Sequence, residues 1–418
     1  VYPDRTVHTG LLEYKNVYRP ARVISYNKES GELVLHNYMD FDDLKDYVKI
    51  SYELTKDGLV ISKGILSEFS VASHGEGKTN LKISVPENGK CYLKLIYHLK
   101  KELPLLDEDH ILGFDEIEVS KEDTKCKLAE KWIPKTVVDS ELQVNENDTQ
   151  IHIKGREFAY TIDKRTALFT EMKFAGREYL NHPMELNIWR APTDNDMYIK
   201  SEWKKARYDK AYTRAYTTEV VQGKHGVKIT SHASVVAETV QKILDVTITW
   251  KIEAAGKIDA DIAVTKDDEF PDLPRFGVRM FLDKKLSAVR YFGMGPQESY
   301  CDKHQAASHG LYHANVDDLH EDYIRPQENG SHYDCEYVEL NNSRYGIVAS
   351  AEKAFSFNAS YYTQEELEKK THNYELIESD SVVFCVDYAL NGIGSNSCGP
   401  VVLDQYRFDD VLFGFSLH

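Results

Sequence analysis

No run in this chain reaches the roughly 18 apolar residues that a membrane-crossing helix requires. Basic charge is scarce as well: 51 Lys and Arg stand against 68 Asp and Glu, a formal charge of −17, and no Lys/Arg-rich stretch marks a face for a polyanion. Neither nucleic acid nor a membrane is therefore expected as a partner. The six cysteines (91, 126, 301, 335, 385 and 398) are scattered without a pairing pattern, which favours a reducing compartment and makes a cytoplasmic setting the preferred reading. Low-complexity tracts and coiled-coil periods are missing. The N-terminus, Val-Tyr-Pro-Asp-Arg-Thr, has no basic segment leading into an apolar core, so it does not read as a signal peptide. It also lacks an initiating Met, and the chain is expected to be a fragment or a processed piece.

What the chain does contain is short alternating runs. Val34–Tyr38, Val48–Leu54, Leu81–Val85, Tyr92–Leu99 and Gly113–Val119 follow one another, punctuated by Gly, Asn and Asp, at the spacing of a small antiparallel sandwich. Leu93, Leu95, Tyr97 and Leu99 fall on one face. Periodicity fades over Lys127–Asn147, which holds Pro134 and a polar run, and this stretch reads as a linker. Alternation resumes at Ile151–Ile153, Phe158–Ile162, Val227–Ile229 and Val246–Ile252. Helical signals are few: Ser201–Tyr208, and a helix opened by a capping box between Thr363 and Glu366. So many strands predict an all-β chain, with a small sandwich followed by a large double-sheet sandwich.

Four polar clusters interrupt the strands. The first, Arg190-Ala-Pro-Thr-Asp-Asn-Asp196, sets Asp194, Asn195 and Asp196 behind a turn approached through Pro192. On its own it reads as a polar surface loop, or as a loop whose carboxylates and amides bond to sugar hydroxyls. The second, Gly293–Tyr300 with Gly295 and Glu298, is not a phosphate loop, because it lacks Gly-Lys-Ser/Thr and Pro296 removes a backbone donor. The others are Arg325–Gly330, with Glu328 and Asn329, and Gly392–Pro400, with Cys398.

In this order and at these separations, the four clusters resemble the C-terminal region of glycoside hydrolase family 2 β-galactosidases. The run from Phe355 to Leu367 fits the likeness, and Asp4–Lys15 is similar to the exit from that family's catalytic barrel. The resemblance implies residues 1–15 as a barrel remnant and 16–126 as an immunoglobulin-like β-sandwich. A linker at 127–147 and a galactose-mutarotase-like supersandwich at 148–418 complete the expected division. It also implies that both catalytic carboxylates lie in the barrel, outside this chain, so no residue here is assigned a catalytic role. No cofactor is expected in this chain; family members often hold Mg and Na in the barrel. The implied partners are that barrel, on the same polypeptide or a large subunit, a galactoside substrate, and further copies in a homo-oligomer. The start at a barrel remnant favours a truncated piece over a natural small subunit.

By the same likeness, Asp194, Asn195, Asp196, Met197, Tyr198 and Cys398 would contact substrate or border the active site. Arg190, Pro192, Gly295, Glu298, Glu328 and Asn329 would be structural. Some relatives carry a glycine hinge where Tyr198 stands, and a Trp that stacks on the aglycone sugar where Cys398 stands. A thiol offers no stacking face, so weaker selection for a glucose leaving group is expected.

Other signals receive plainer readings. Cys335-Glu336-Tyr337 copies the family's nucleophile triplet, but Val338-Glu339-Leu340-Asn341 follows it, and Glu336 reads as structural. Cys301, His304, His309, His313 and His320 loosely approach finger-ligand spacing, but no second Cys follows closely and no metal site is assigned. Two alternatives to the β-galactosidase reading stay open at this point. One is a free-standing carbohydrate-binding or structural module. The other is a mutarotase-like aldose epimerase using His304 or His332 near Glu298 or Glu328.

Overall fold

A computed structural model describes residues 1–120, 128–129 and 142–418. Cys126 and residues 127 and 130–141 of the expected linker lie outside the described residues. With 48% strand against 11% helix, the chain is all-β, as its alternation predicts. Contacts divide it into two units. Unit 1 takes residues 1–128 together with 292–297 and 304–312, and unit 2 takes 129–291, 298–303 and 313–418.

Unit 1 opens with helix α1 (Thr9–Val17), which the alternation signal did not reveal; His8 caps it by accepting from the Gly10 amide at 3.0 Å. Seven strands follow: β1 (Ala21–Tyr26), β2 (Glu32–Asn37), β3 (Val48–Lys56), β4 (Leu59–Ile65), β5 (Glu76–Asn80), β6 (Cys91–Leu99) and β7 (Ile111–Glu118), with the short helix α2 (Leu44–Tyr47) before β3. They form two sheets, β1-β2-β5 and β4-β3-β6-β7, whose inner faces share one apolar core. β6 shows the logic: Leu93, Leu95, Tyr97 and Leu99 are buried, while Lys94, Ile96 and His98 between them are partly exposed. Leu81–Val85 departs from expectation. Leu81, Ile83 and Val85 do turn toward the core, but the run ends at Pro86 without joining a ladder, and the strand is instead its predecessor β5. Asp115 gathers polar groups at the sheet edge, pairing with Arg19 at 2.6 Å and accepting from the Tyr97 hydroxyl and the Val23 amide.

Unit 2 begins at β8 (Gln143–Glu146), an edge strand formed by residues expected inside the linker. It pairs with β9 (Gln150–Lys154), followed by β10 (Phe158–Asp163), β11 (Leu168–Phe174) and β12 (Arg177–Glu178) in one meander. A second sheet runs β14 (Tyr212–Gln222), β15 (Gly226–Val236), β16 (Leu244–Glu253), β17 (Ile258–Lys266) and β24 (Leu412–Leu417). A third follows the order β13 (Leu180–Asn187), β18 (Arg275–Asp283), β23 (Ser381–Leu390), β22 (Gly346–Ser360) and β21 (His332–Asn341). β19 (Ala288–Gly295) and β20 (Ser308–Asn315) carry residues of both units. The expected helix at Ser201–Tyr208 is α3 (Ile199–Lys205). It stops early because Arg207 adopts a left-handed φ of 63°. At α4 (Gln364–Lys369) the Thr363 hydroxyl accepts from the Glu366 amide at 3.1 Å, the amide half of the expected capping box.

Because Leu95 is fully buried in the unit 1 core, Leu95→Ala should destabilise the protein by about 2–5 kcal/mol. Breaking the exposed Lys78–Glu32 pair with Lys78→Ala should cost less than about 1 kcal/mol. Urea titration of both variants checks the contrast; equal losses would contradict this account of the core.

Candidate functional site

β18 reads Arg-Phe-Gly-Val-Arg-Met-Phe-Leu-Asp and is buried on both faces except at its last residue. A guanidinium in such a strand must be neutralised, since an unpaired buried charge is costly. Arg275 donates through Nε to Asp387 Oδ1 at 3.1 Å, with a second bond from Nη2 to Oδ2, and through Nη1 to Glu328 Oε1 at 2.7 Å. All three side chains are within 2% of complete burial. Burial works against the charge on Arg275, but the two carboxylates outweigh it and hold the guanidinium firmly cationic. Asp387 reaches its partner over Gly277, the residue opposite it in the ladder, where a Cβ would collide with the Val386 carbonyl and the Asp387 carboxylate.

Glu328 carries the connection to the first cluster. Its Oε2 accepts from the Ala191 amide at 3.3 Å, and its own amide donates to the Ala191 carbonyl at 3.0 Å. Next to Ala191, Arg190 is also fully buried. It grips Asp196 with two bonds, Nε to Oδ2 at 3.1 Å and Nη2 to Oδ1 at 2.6 Å. The remaining donors of Arg190 go to the Asn391 carbonyl and, at 3.1 Å, to the Gly392 carbonyl. Trp203 of α3, itself fully buried, lies 5.1 Å from the guanidinium and ties the helix to the same centre. Asp196 Oδ2 also accepts from the Thr193 amide and hydroxyl, closing the turn that holds Asp194 and Asn195.

The fourth cluster is fastened from two sides. Asn195 Nδ2 donates to the Ile393 carbonyl at 2.6 Å, and Asp302 accepts from the Ile393 and Gly394 amides at 3.0 and 2.7 Å. The third cluster is bound to the first by Gln327, which accepts from the Asp194 amide and donates to its carboxylate. Asn329 donates to the Gln327 carbonyl and accepts from the Glu321 amide, while its own carbonyl accepts from Asn358. Glu298 completes the group. It pairs with Lys303 at 2.6 Å and accepts from the Tyr323 hydroxyl and the Gly330 amide. Burial would raise its pKa, but Lys303, Tyr323 and Gly330 together leave it below the ordinary carboxylate range.

Unit 2 therefore brings together Arg190, Asn195, Asp196, Glu298, Glu328 and Asn329. Pro192 sits in the same turn, half-buried. Asp196 is separated from its neighbours in character: it is buried, and its carboxylate is already committed to Arg190 and Thr193. Asp194, Met197, Tyr198 and Cys398 are exposed. Met197 and Tyr198 lead directly into α3, and Cys398 lies four residues beyond the anchored Gly394. Gly295 belongs to unit 1, where its bond to Pro296 is cis. Sequence reasoning missed Arg275, Asp387, Asp302 and Lys303. A signal for two of them existed: a charge standing inside an otherwise apolar strand, as in Arg275-Phe-Gly-Val and Phe384-Cys-Val-Asp387, predicts a buried partner.

The other candidates resolve as packing. Glu336 lies half-buried in β21. His309 stacks on Tyr92 at 4.1 Å and bonds to Glu116 at 2.7 Å, within unit 1. Burial pushes the Cys301 thiol up to about 12, which makes it a poor thiolate ligand. Among the described residues no group of three or more His, Cys, Asp or Glu is placed to hold a metal. Glu298 pairs with Lys303 and Glu328 with Arg275, and the His332 ring packs against those of Tyr291 and Phe357.

An all-β chain with a small sandwich and a larger unit, the latter holding its polar loops on buried ion pairs, defines the class to which comparison assigns it. The family model for the β-galactosidase small chain matches residues 154–417, and that for β-galactosidase domain 4 matches 33–120. The chain belongs to the β-galactosidase family. It is 44% identical over 410 residues to a β-galactosidase of Actinobacillus pleuropneumoniae, covering 97% of this chain and 39% of that protein. It is 30% identical over 422 residues to one from Staphylococcus xylosus, covering 100% of this chain and 41% of that protein. A third, from Pseudoalteromonas haloplanktis, is 25% identical over 441 residues, with the same two coverages of 100% and 41%. The chain thus spans about two fifths of the length of these curated relatives and matches their C-terminal part.

A carboxylate with a depressed folded pKa stabilises the fold fully above its unfolded value and loses that contribution as pH falls through the folded value. Glu298→Gln should therefore be less stable than the parent at neutral pH. Below the ordinary value of 4.5 it should also lose stability less steeply. Urea midpoints over a pH series check this, and parallel acid limbs for the two proteins would refute it.

Proposed function

We propose that this chain completes a β-galactosidase whose catalytic barrel lies outside it, on the same polypeptide or on a large subunit. The reaction would be hydrolysis of terminal β-D-galactosides by the retaining route, which needs two carboxylates about 5 Å apart. The chain would contribute the border of that site and take no part in bond breaking. One observation carries the reading: the whole chain matches β-galactosidases, yet covers only 39% and 41% of the first two.

The geometry of unit 2 supports the assignment of roles. Fixed residues (Arg190, Asp196, Glu328 and Asn329) hold turns whose exposed tips carry Asp194, Met197 and Tyr198. Such tips suit contact with sugar hydroxyls or with an incoming aglycone, because their positions are set by buried bonds and their side chains remain accessible. Cys398, on the segment anchored through Ile393 and Gly394, would stand beside the aglycone without a stacking face. In domain terms we propose a sandwich at 16–126 and a supersandwich that takes in β8 and so begins by residue 143, with the linker confined to the residues before it.

Assay of the chain on a chromogenic β-galactoside, alone and after addition of the remaining part of the enzyme, tests the reading. No hydrolysis alone and hydrolysis on mixing are expected. Turnover by the chain alone would overturn it, and galactose anomerisation by the lone chain would favour an epimerase instead.

A further inference from the structure

Away from the loop cluster, unit 2 contains a cavity of about 540 Å³ between its sheets. Phe169 and Met172 of β11, Trp250 of β16, Val278 and Met280 of β18 and Val386 of β23 line it. None of Arg190, Asp196, Arg275 or Glu328 does. Polar atoms near the walls are turned elsewhere: Trp250 Nε1 donates to the Ala167 carbonyl at 2.8 Å, and the Tyr160 hydroxyl to the Gly256 carbonyl at 2.8 Å. The walls are mostly apolar, with polar lining residues such as Arg177, Lys257, Arg344, Ser350 and His418 among them. Protein interiors rarely leave voids larger than a water molecule, whereas this volume falls in the range of small-ligand sites.

The mouth has a different character. Arg177 and Arg344 are exposed lining residues, and the Arg177 guanidinium sits 4.7 Å from the ring of Tyr345, the residue after Arg344. Among the described residues neither arginine has an ion-pair partner. The other basic residues of the lining are already engaged, Lys257 and His418 both contacting Asp259, at 2.7 and 2.6 Å. A mostly apolar chamber with two guanidiniums that have no ion-pair partner among the described residues is complementary to a molecule with an apolar body and one anionic head.

We propose that unit 2 binds an amphipathic monoanion, a medium-chain alkyl carboxylate, with its tail between the sheets and its carboxylate at Arg177 and Arg344. This site is separate from the proposed galactoside border and does not rest on it.

Calorimetric titration of the full chain with decanoate, and with decanol as the neutral counterpart, tests the proposal. Decanoate should bind saturably at one site and more tightly than decanol. Reversing both charges, Arg177→Glu with Arg344→Glu, should weaken decanoate by on the order of tenfold and leave decanol unchanged. Met280→Trp should fill the chamber and abolish both. The charge reversal lies on exposed side chains and decides the matter even where Met280→Trp fails to fold. Absence of saturable binding, equal affinity for the two probes, or decanoate binding indifferent to charge reversal would each overturn the proposal.

Discussion

An arginine placed in a strand that is buried on both faces dictates much of what surrounds it. The Arg275 side chain is fully buried, so its charge has no access to water and must be met by carboxylates brought from elsewhere in the chain. Asp387 comes from the neighbouring strand, and Gly277 leaves the space through which it reaches. Glu328 comes from a loop, and by bonding to both the amide and the carbonyl of Ala191 it fixes the first polar cluster next to β18. Arg190 then repeats the arrangement one residue away, taking Asp196 from its own turn, the Gly392 carbonyl from the fourth cluster and the carbonyl of Asn391 just before it. Each pair has meaning only with the others in place. Removing one partner would leave a buried charge alone, at a cost of roughly 3–5 kcal/mol.

Such a network is an expensive way to hold loops if stability is all that matters, because well-packed apolar residues serve as well or better. Its advantage is position. Bidentate guanidinium–carboxylate contacts fix direction as well as distance, and the loops they bind end in exposed residues a few positions further on. This is the property that the proposed border of a catalytic barrel would require. The proposed alkyl-carboxylate site uses arginines in the opposite way, exposed and without carboxylate partners among the described residues, so that their charge is available to a ligand.

Much of the fold was legible because strands and caps are local. Leu93, Leu95, Tyr97 and Leu99 announce β6 by their alternation, and Thr363 with Glu366 announces α4. The failures are also local in cause. Leu81–Val85 has the burial period of a strand but joins no ladder, and Gln143–Glu146 is too polar to stand out from a linker although β9 pairs with it. The clusters themselves could be read in the sequence, but the bonds between them could not. Arg275 and Asp387 are 112 residues apart, and Arg190 and Asn391 are 201 apart, separations that no periodic pattern reports. Asp196 illustrates the limit: its position beside Asp194 and Asn195 suggests a shared exposed role, and only the third dimension shows it turned inward to Arg190.

Arg190 holds the first and fourth clusters as one body. Amide hydrogen exchange on Arg190→Met measures it most directly. Protection should be lost at both Thr193–Asp196 and Asn391–Gly394, with β15 and β16 retaining theirs. Unchanged protection in the two loops would contradict it.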